Sequence, residues 1–185
     1  MSFKDAFIFA MKSEIGPWFD PSDPDVIAGL HDTPEQKRKI GYVNIKGDRG
    51  GLTSYGIAQN SHPHIDVSKI NLAQAMEIYR TEFWIPARCE ELPPKYDIAH
   101  FDAAVNHGVV RARKLLQEGL GVTADGVIGP GTLNALKKPI DPVKFMKARR
   151  SFYQNIINAR PDQQKFAKGW ELRGDRVLAL LQTSI

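Results

Sequence analysis

Two carboxylates and a hydroxyl have the types and spacing that acid–base chemistry needs. Glu14 follows Phe7, Ala10 and Met11 by seven, four and three residues. It therefore shares or borders the apolar stripe of a helix and sits in that helix's last turn. The partial negative charge of a helix C-terminus and apolar surroundings both disfavour an ionised carboxylate there. A protonated carboxyl near neutral pH is what a general acid requires. Spacing alone fits a surface glutamate at a frayed helix end at least as well. Asp48 lies in the run Gly47-Asp48-Arg49-Gly50-Gly51, with Thr53 just beyond. A carboxylate at a hairpin rim beside a hydroxyl can orient a water, and Gly50-Gly51 lets the backbone approach a ligand closely. Asp and Gly are also ordinary turn residues, so this run alone reads as readily as a plain turn.

The other reactive side chains form no recognisable set. His31, His62, His64, His100 and His107 show no metal-ligand spacing with Cys89, and His62-Pro63-His64 reads as a surface loop. Cys89 has no adjacent histidine motif and reads as a buried or inert thiol. Nucleophile elbow, phosphate-binding loop and dinucleotide fingerprint are all missing from the sequence. No metal and no organic cofactor is expected.

The elements that must position these groups are mostly helical. Phe3, Ala6, Phe7, Ala10 and Met11 recur at helical spacing after a Ser2 N-cap, and Gly16-Pro17 stops the helix. From 17 to 52, prolines, glycines and aspartates break every period, leaving one short helix over 34–40, a strand over 42–45 and a returning strand over 52–57. A long irregular stretch of this kind is usually functional or mobile. Asn71 with Gln74 forms a capping-box pattern ahead of Ala75, Met76, Ile78, Tyr79 and Phe83. Pro93-Pro94 opens a helix with Ile98, Phe101, Ala104 and Val105 on one face, closed by Asn106-His107-Gly108. A helix over 109–120 ends at Gly121, and a shorter one covers 132–136. Asp141-Pro142 starts a helix carrying Phe145, Met146, Phe152, Tyr153, Ile156 and Ile157. A last helix spans 163–181, with a weak point at Gly169 or Gly174. No internal repeat or low-complexity tract is present. The expected fold class is α+β, mainly α-helical, with one small β-hairpin near 42–57.

The 185-residue, 20.7 kDa chain is 42% hydrophobic and 25% charged. That balance suits a compact domain, with or without a small appendage, and excludes disorder, collagen and a disulfide scaffold. Cys89 is the sole cysteine, so no intrachain disulfide forms, which fits a reducing cytoplasm. No apolar run approaches the roughly 20 residues of a membrane span. Lys4, Asp5, Lys12 and Glu14 interrupt the first residues, unlike a cleavable signal or an anchor. The net charge of +4 serves solubility or an anionic partner equally. Without a dense Lys/Arg stripe and interleaved aromatics, nucleic acid is disfavoured.

Together the motifs resemble glycoside hydrolase family 108, lysozyme-like N-acetylmuramidases common among bacteriophage endolysins. The run Asp48-Arg49-Gly50-Gly51-Leu52-Thr53-Ser54-Tyr55-Gly56-Ile57 is similar to the family's Asp-x-Gly-Gly-x-Thr-x-Tyr-Gly-Ile motif and is intact. The family's Glu-Gly-Gly-Tyr is altered: after Glu14, Ile15 and Pro17 replace a Gly and the Tyr, while Gly16 and Trp18 keep some of its character. Tyr79-Arg80-Thr81-Glu82-Phe83-Trp84-Ile85-Pro86 resembles the family's Tyr-x-x-x-Tyr/Phe-Trp-x-Pro, and Phe101-Asp102-Ala103-Ala104-Val105-Asn106-His107-Gly108 also fits. Residues 120–136, with Asp125-Gly126-Val127-Ile128-Gly129-Pro130-Gly131-Thr132, are similar to the family's C-terminal predicted peptidoglycan-binding region, and Phe166-Ala167-Lys168-Gly169-Trp170 through Arg173 to its end. Family members usually have a short link between the Glu and the Gly-Gly motif. Here residues 19–46 hold an insertion of roughly two dozen residues, a length surface loops tolerate. It reads either as a cap or partner contact at the substrate groove or as a surface excursion.

The resemblance implies a lysozyme-like fold, with a catalytic region over 1–118 and a helical, peptidoglycan-binding-like region over 119–185, packed as one globular unit. It implies cleavage of the β-1,4 bond between N-acetylmuramic acid and N-acetylglucosamine, with Glu14 as acid, Asp48 as second carboxylate and Thr53 placing a water. Asp20, Asp23 and Asp25 are rivals for the second carboxylate because they lie nearer Glu14. In the related phage lysozyme pattern an Asp follows the Glu after a short gap, with a Thr after it. Asp23 has that gap, but Gly29 stands where the Thr would be, so Asp48 is preferred. Candidate substrate contacts are Arg49, Tyr55, Trp84, Asp102 and Asn106. Arg49 and Tyr55 read equally as structural, and Asp102 and Asn106 lean towards bracing the hairpin. Among Tyr79, Trp84, Phe101 and Trp170, all but Trp84 are expected in the core. The partner is the peptidoglycan glycan strand, met by a monomer without stable membrane insertion. The chain is expected to be held in the bacterial host cytoplasm and released to the wall by a holin-like or secretion partner. Two rivals remain: a non-catalytic wall-binding module, and an interbacterial or secretion-associated muramidase.

Overall fold

The computed structural model describes residues 2–44 and 50–183. They fall into two compact units, Ser2–Glu82 and the chain from Phe83 onward. The first unit opens with α1 (Phe3–Glu14), whose Ser2 and Asp5 cap each other's backbone in the expected way. Its apolar stripe buries Ala6, Phe7, Ala10 and Met11, and the Phe7 ring meets Phe19 and Tyr79 edge-on at 6.0 and 5.3 Å. The irregular stretch after it contains a helix that the broken periodicity hides, α2 (Pro24–Ala28), N-capped by Asp23. Asp23-Pro24 is the same start signal as Asp141-Pro142. The expected short helix is α3 (Pro34–Lys39), and the Asn71–Gln74 box starts α4 (Leu72–Tyr79).

The small sheet differs from the expected pairing. Residues 52–57 do not form one strand. They fold back on themselves as β1 (Thr53–Ser54) and β2 (Ile57–Ala58), antiparallel, with Thr53 opposite Ala58 and Ser54 opposite Ile57. Tyr55 and Gly56 form the turn at φ of 51° and 74°, the pattern of a type I′ hairpin. The expected strand over 42–45 contributes only a bridge from Val43 to Thr53, and Ile45 lies outside the described residues. Tyr55 accepts the positive φ because its surroundings over-determine it. Its side chain is buried, its hydroxyl donates to Val26 O, its carbonyl accepts from Tyr79 Oη at 2.9 Å, and its N–H donates to Ile40 O at 2.7 Å.

A π-helical turn (Arg80–Trp84) carries the chain from α4 to α5 (Ile85–Ala87), which belongs to the second unit. Then come α6 (Tyr96–His107), α7 (Val109–Leu120), α8 (Pro130–Leu136) and α9 (Pro142–Ala159), close to their expected bounds. A region boundary at 118–119 falls inside α7. The last helix differs: a 3₁₀ stretch, Pro161–Phe166, precedes α10 (Ala167–Gln182), so the break lies before Ala167 and not at Gly169 or Gly174. Fully buried Asp102 on α6 pairs with Arg149 on α9 at 2.6 Å and Arg173 on α10 at 2.9 Å. Burial by itself pushes the Asp102 carboxyl up, but the two guanidiniums outweigh it and hold it below the usual carboxylate range.

Two measurements check this packing. Burial pushes His100 down to about 4 and His107 down to about 3, the latter helped by Arg149 and Arg173. The unfolded chain takes up protons near pH 6.5, so stability from these histidines is full above that pH and drains as pH falls towards the folded values. The loss is about 1.4 kcal/mol per pH unit per histidine. Asp102 adds its own loss only below its ordinary value of 3.8. The urea midpoint is expected to fall between pH 7 and pH 4, with a shallower slope for His100→Gln; an unchanged slope would show that His100 is not buried neutral. For the hairpin, a Cβ on Gly56 would lie 2.7 Å from Tyr79 Oη, at a positive φ. Gly56→Ala is expected to cost about 1–3 kcal/mol in denaturant unfolding, and a neutral effect would contradict the turn.

Candidate active site

Glu14 is the last residue of α1, and its side chain is exposed. The helical angle that aligns it with Phe7 is right, but the buried stripe stops at Met11, one turn earlier. Glu14 therefore stands beyond the buried stripe rather than within it. The next residue, Ile15, packs on Gly41: a Cβ there would lie 3.1 Å from Ile15 Cγ1. Two residues on, Val43 exchanges backbone hydrogen bonds of 2.9 and 2.8 Å with Thr53. The end of α1 and the start of β1 are thus linked through one short segment. Thr53 is half-buried and pairs with Val43 on one side and Ala58 on the other. Asp48 and Arg49 lie outside the described residues. The run resumes at Gly50-Gly51, strapped to the hairpin by Asn60 N–H donating to Gly50 O at 3.1 Å and Gln59 N–H to Leu52 O at 2.8 Å.

The nearer aspartates have other work. Asp20 binds the backbone and hydroxyl of Ser22 at 2.9 and 2.7 Å. Asp23 caps α2 and meets Lys39 at 2.9 Å, and that ammonium holds its carboxyl below the ordinary range. Asp25 lies 3.4 Å from the same Lys39.

Histidine spacing gives no hint of one hairpin contact. His62 is buried rather than on a surface loop. Its Nδ1 lies 3.0 Å from Ala58 O, and its Nε2 lies 3.0 and 3.1 Å from the two Glu82 oxygens. It therefore clamps β2, the strand paired with Thr53, to a carboxylate twenty residues downstream.

The expected sugar contacts are mostly interior. Tyr55 is buried with its hydroxyl spent on Val26, so it is a core residue. Trp84 is 3% exposed, edge-on to Phe101 at 5.7 Å, with its indole N–H on Glu90 at 3.2 Å. It is the half-buried Trp170, not Trp84, that escapes the core. Asp102 is enclosed by Arg149 and Arg173, and Asn106 donates to Tyr153 Oη at 3.0 Å. Their bracing serves α9 and α10 rather than the hairpin. Cys89 is buried, and burial pushes its thiol up. Among the described residues, no group of three or more His, Cys, Asp or Glu side chains is placed to hold a metal ion.

This arrangement can be set beside known proteins. Residues 37–108 match the family described as Glycosyl hydrolase 108, and residues 111–174 match the one described as Predicted Peptidoglycan domain. The structure of Brucella abortus SagA is similar at 31% identity and a TM-score of 0.63, covering 76% of this chain and 85% of that one. Among curated proteins, none matches. With the hydrolase match over the hairpin and α6, the peptidoglycan match directly after it, and a solved relative alike over most of both chains, this chain belongs to glycosyl hydrolase family 108 and is a peptidoglycan hydrolase.

Proposed function

We propose that the enzyme is an N-acetylmuramidase that cleaves the β-1,4 bond from N-acetylmuramic acid to N-acetylglucosamine. Glu14, protonated, donates to the glycosidic oxygen as the bond breaks. Asp48 stays ionised and either stabilises the oxocarbenium-like transition state or helps activate a water, which Thr53 positions. The observation that carries this reading is the link from Ile15 through Gly41 and Val43 to Thr53 within one unit. It brings an accessible carboxyl and a hydroxyl to neighbouring elements. Because Glu14 is exposed, the bound glycan and not the fold must exclude water from it. A water-mediated scheme implies inversion and carboxyl groups about 6.5–9.5 Å apart, against about 5–5.5 Å for retention.

Reducing-end release from purified peptidoglycan, with mass analysis of the fragments, tests the proposal. Wild type is expected to yield fragments ending in reducing N-acetylmuramic acid. Glu14→Gln is expected to lower the rate by about 10²–10⁴-fold without loss of fold, and full activity in that variant would remove Glu14 as the acid. An inert wild type that still binds the wall would favour the non-catalytic module.

Asp23→Ala tests Asp23, the rival with the short gap, against Asp48 as the second carboxylate. It is expected to cost about 0.5–2 kcal/mol of stability through the lost helix cap, with hydrolysis retained, whereas Asp48→Asn loses activity. The reverse pattern would move the role to Asp23. The endolysin role is tested by expression with and without a membrane-permeabilising partner, lysis being expected only with it.

A further inference from the structure

Helices α9 and α10 enclose a cleft of about 360 Å³, within the range of small-molecule sites. Its wall is aromatic. Trp170 stacks on Tyr153 with ring centroids 5.0 Å apart and planes 13° from parallel. Tyr153 cannot swing away, because its hydroxyl accepts from Asn106 Nδ2 at 3.0 Å and Arg149 Nε at 3.1 Å. The half-buried indole is therefore held before any ligand arrives. Phe166, 47% exposed and 6.0 Å from the Trp170 ring, prolongs the apolar surface. The rim is polar: Gln154, Glu171, and the exposed pair Arg150–Asp175 at 2.7 Å.

A rigid indole face rimmed by an amide and carboxylates suits a sugar ring, whose C–H face packs on aromatic surface while its hydroxyls and acetamido group take hydrogen bonds. The charge decides which part of peptidoglycan fits. Glu171 and Asp175 are balanced there by the Arg150 guanidinium and by Lys165, whose ammonium lies 5.1 Å from the Phe166 ring, so the surface carries no net charge. Such a surface offers no net attraction to anionic stem peptides or polyphosphate polymers, and favours a neutral glycan. We propose that the α9–α10 cleft is a glycan subsite that stacks an N-acetylated amino sugar on Trp170. It rests on peptidoglycan being the substrate and is independent of the role given to Glu14.

The test follows the indole N–H signals of the full chain by NMR. The chain has three tryptophans, and the signal lost in Trp170→Phe assigns that residue. The probe is chitotetraose, a neutral chain of N-acetylglucosamine. It is expected to shift the Trp170 signal, with a dissociation constant raised about fivefold or more in the Gln154→Ala/Glu171→Ala double variant. Both substituted residues are exposed, so the fold is expected to survive. Glu14→Gln is expected to leave this constant unchanged, which separates the subsite from the proposed chemistry. Chitotetraose shifts confined to the other two indoles would overturn the proposal, as would a Trp170 shift indifferent to the double variant. A sugar-free stem tetrapeptide that shifts Trp170 where chitotetraose does not would assign the cleft to the peptide instead.

Discussion

The phenol of Tyr55 donates into the Val26 carbonyl, while its own carbonyl takes the Tyr79 hydroxyl and its N–H takes the Ile40 carbonyl. These bonds fasten the hairpin turn to α2, to the end of α3 and to α4. Burial pushes the phenol up, so it stays a donor across the pH range in which the fold is stable. Leaving one such buried partner unmatched costs about 1–3 kcal/mol. Thr53 lies two residues before this node, and its strand is too short to hold itself. Its position comes from the turn, from Val43 and from the His62–Glu82 clamp on β2.

The second unit depends on a different kind of constraint. Asp102 meets Arg149 and Arg173 where water does not reach the carboxylate, and removing it would take this counter-charge from the buried Arg149 guanidinium. A leucine-rich contact of the same volume would be at least as stable. What the charged node adds is geometry. Arg149 joins Asp102 to the Tyr153 hydroxyl, and Tyr153 carries the stacked Trp170. One buried ion network thereby sets the crossing of α6, α9 and α10 and the orientation of the aromatic wall between α9 and α10.

Helices were legible in the sequence wherever their signals are local. The Ser2 N-cap, the Asn71 capping box and the Asp141-Pro142 start act over three or four residues, and the structure shows each of them. The same rule applied to Asp23-Pro24 would have found α2. The turn at Tyr55-Gly56 was not legible: the turn chemistry of the sequence points to 47–51, and strands of two residues present no period. Contacts distant in sequence left no trace: 29 residues separate Tyr55 from Val26, and 71 separate Asp102 from Arg173. For the same reason the wrong tryptophan was expected to be accessible. Helical spacing places Trp84 and Trp170 alike on apolar faces, and only tertiary packing distinguishes the indole that Phe101 covers from the one that borders a cleft.

Residues 19–44 are packed into the first unit rather than standing off it as a detachable excursion. Phe19, Val26 and Ile40 are buried, and Phe19 packs edge-on against Phe7 of α1. Gly29 comes so close to the chain before α4 that a Cβ would stand 2.3 Å from Ile70 O. Val26 supplies an acceptor for the Tyr55 hydroxyl, and Ile40 supplies the acceptor for its N–H. A chain lacking this segment would strand both donors in an apolar interior and open the face of α1 behind Phe7. Phe19, Val26 and Ile40 are thus part of the core that holds the hairpin, and the turn at Tyr55 depends on them.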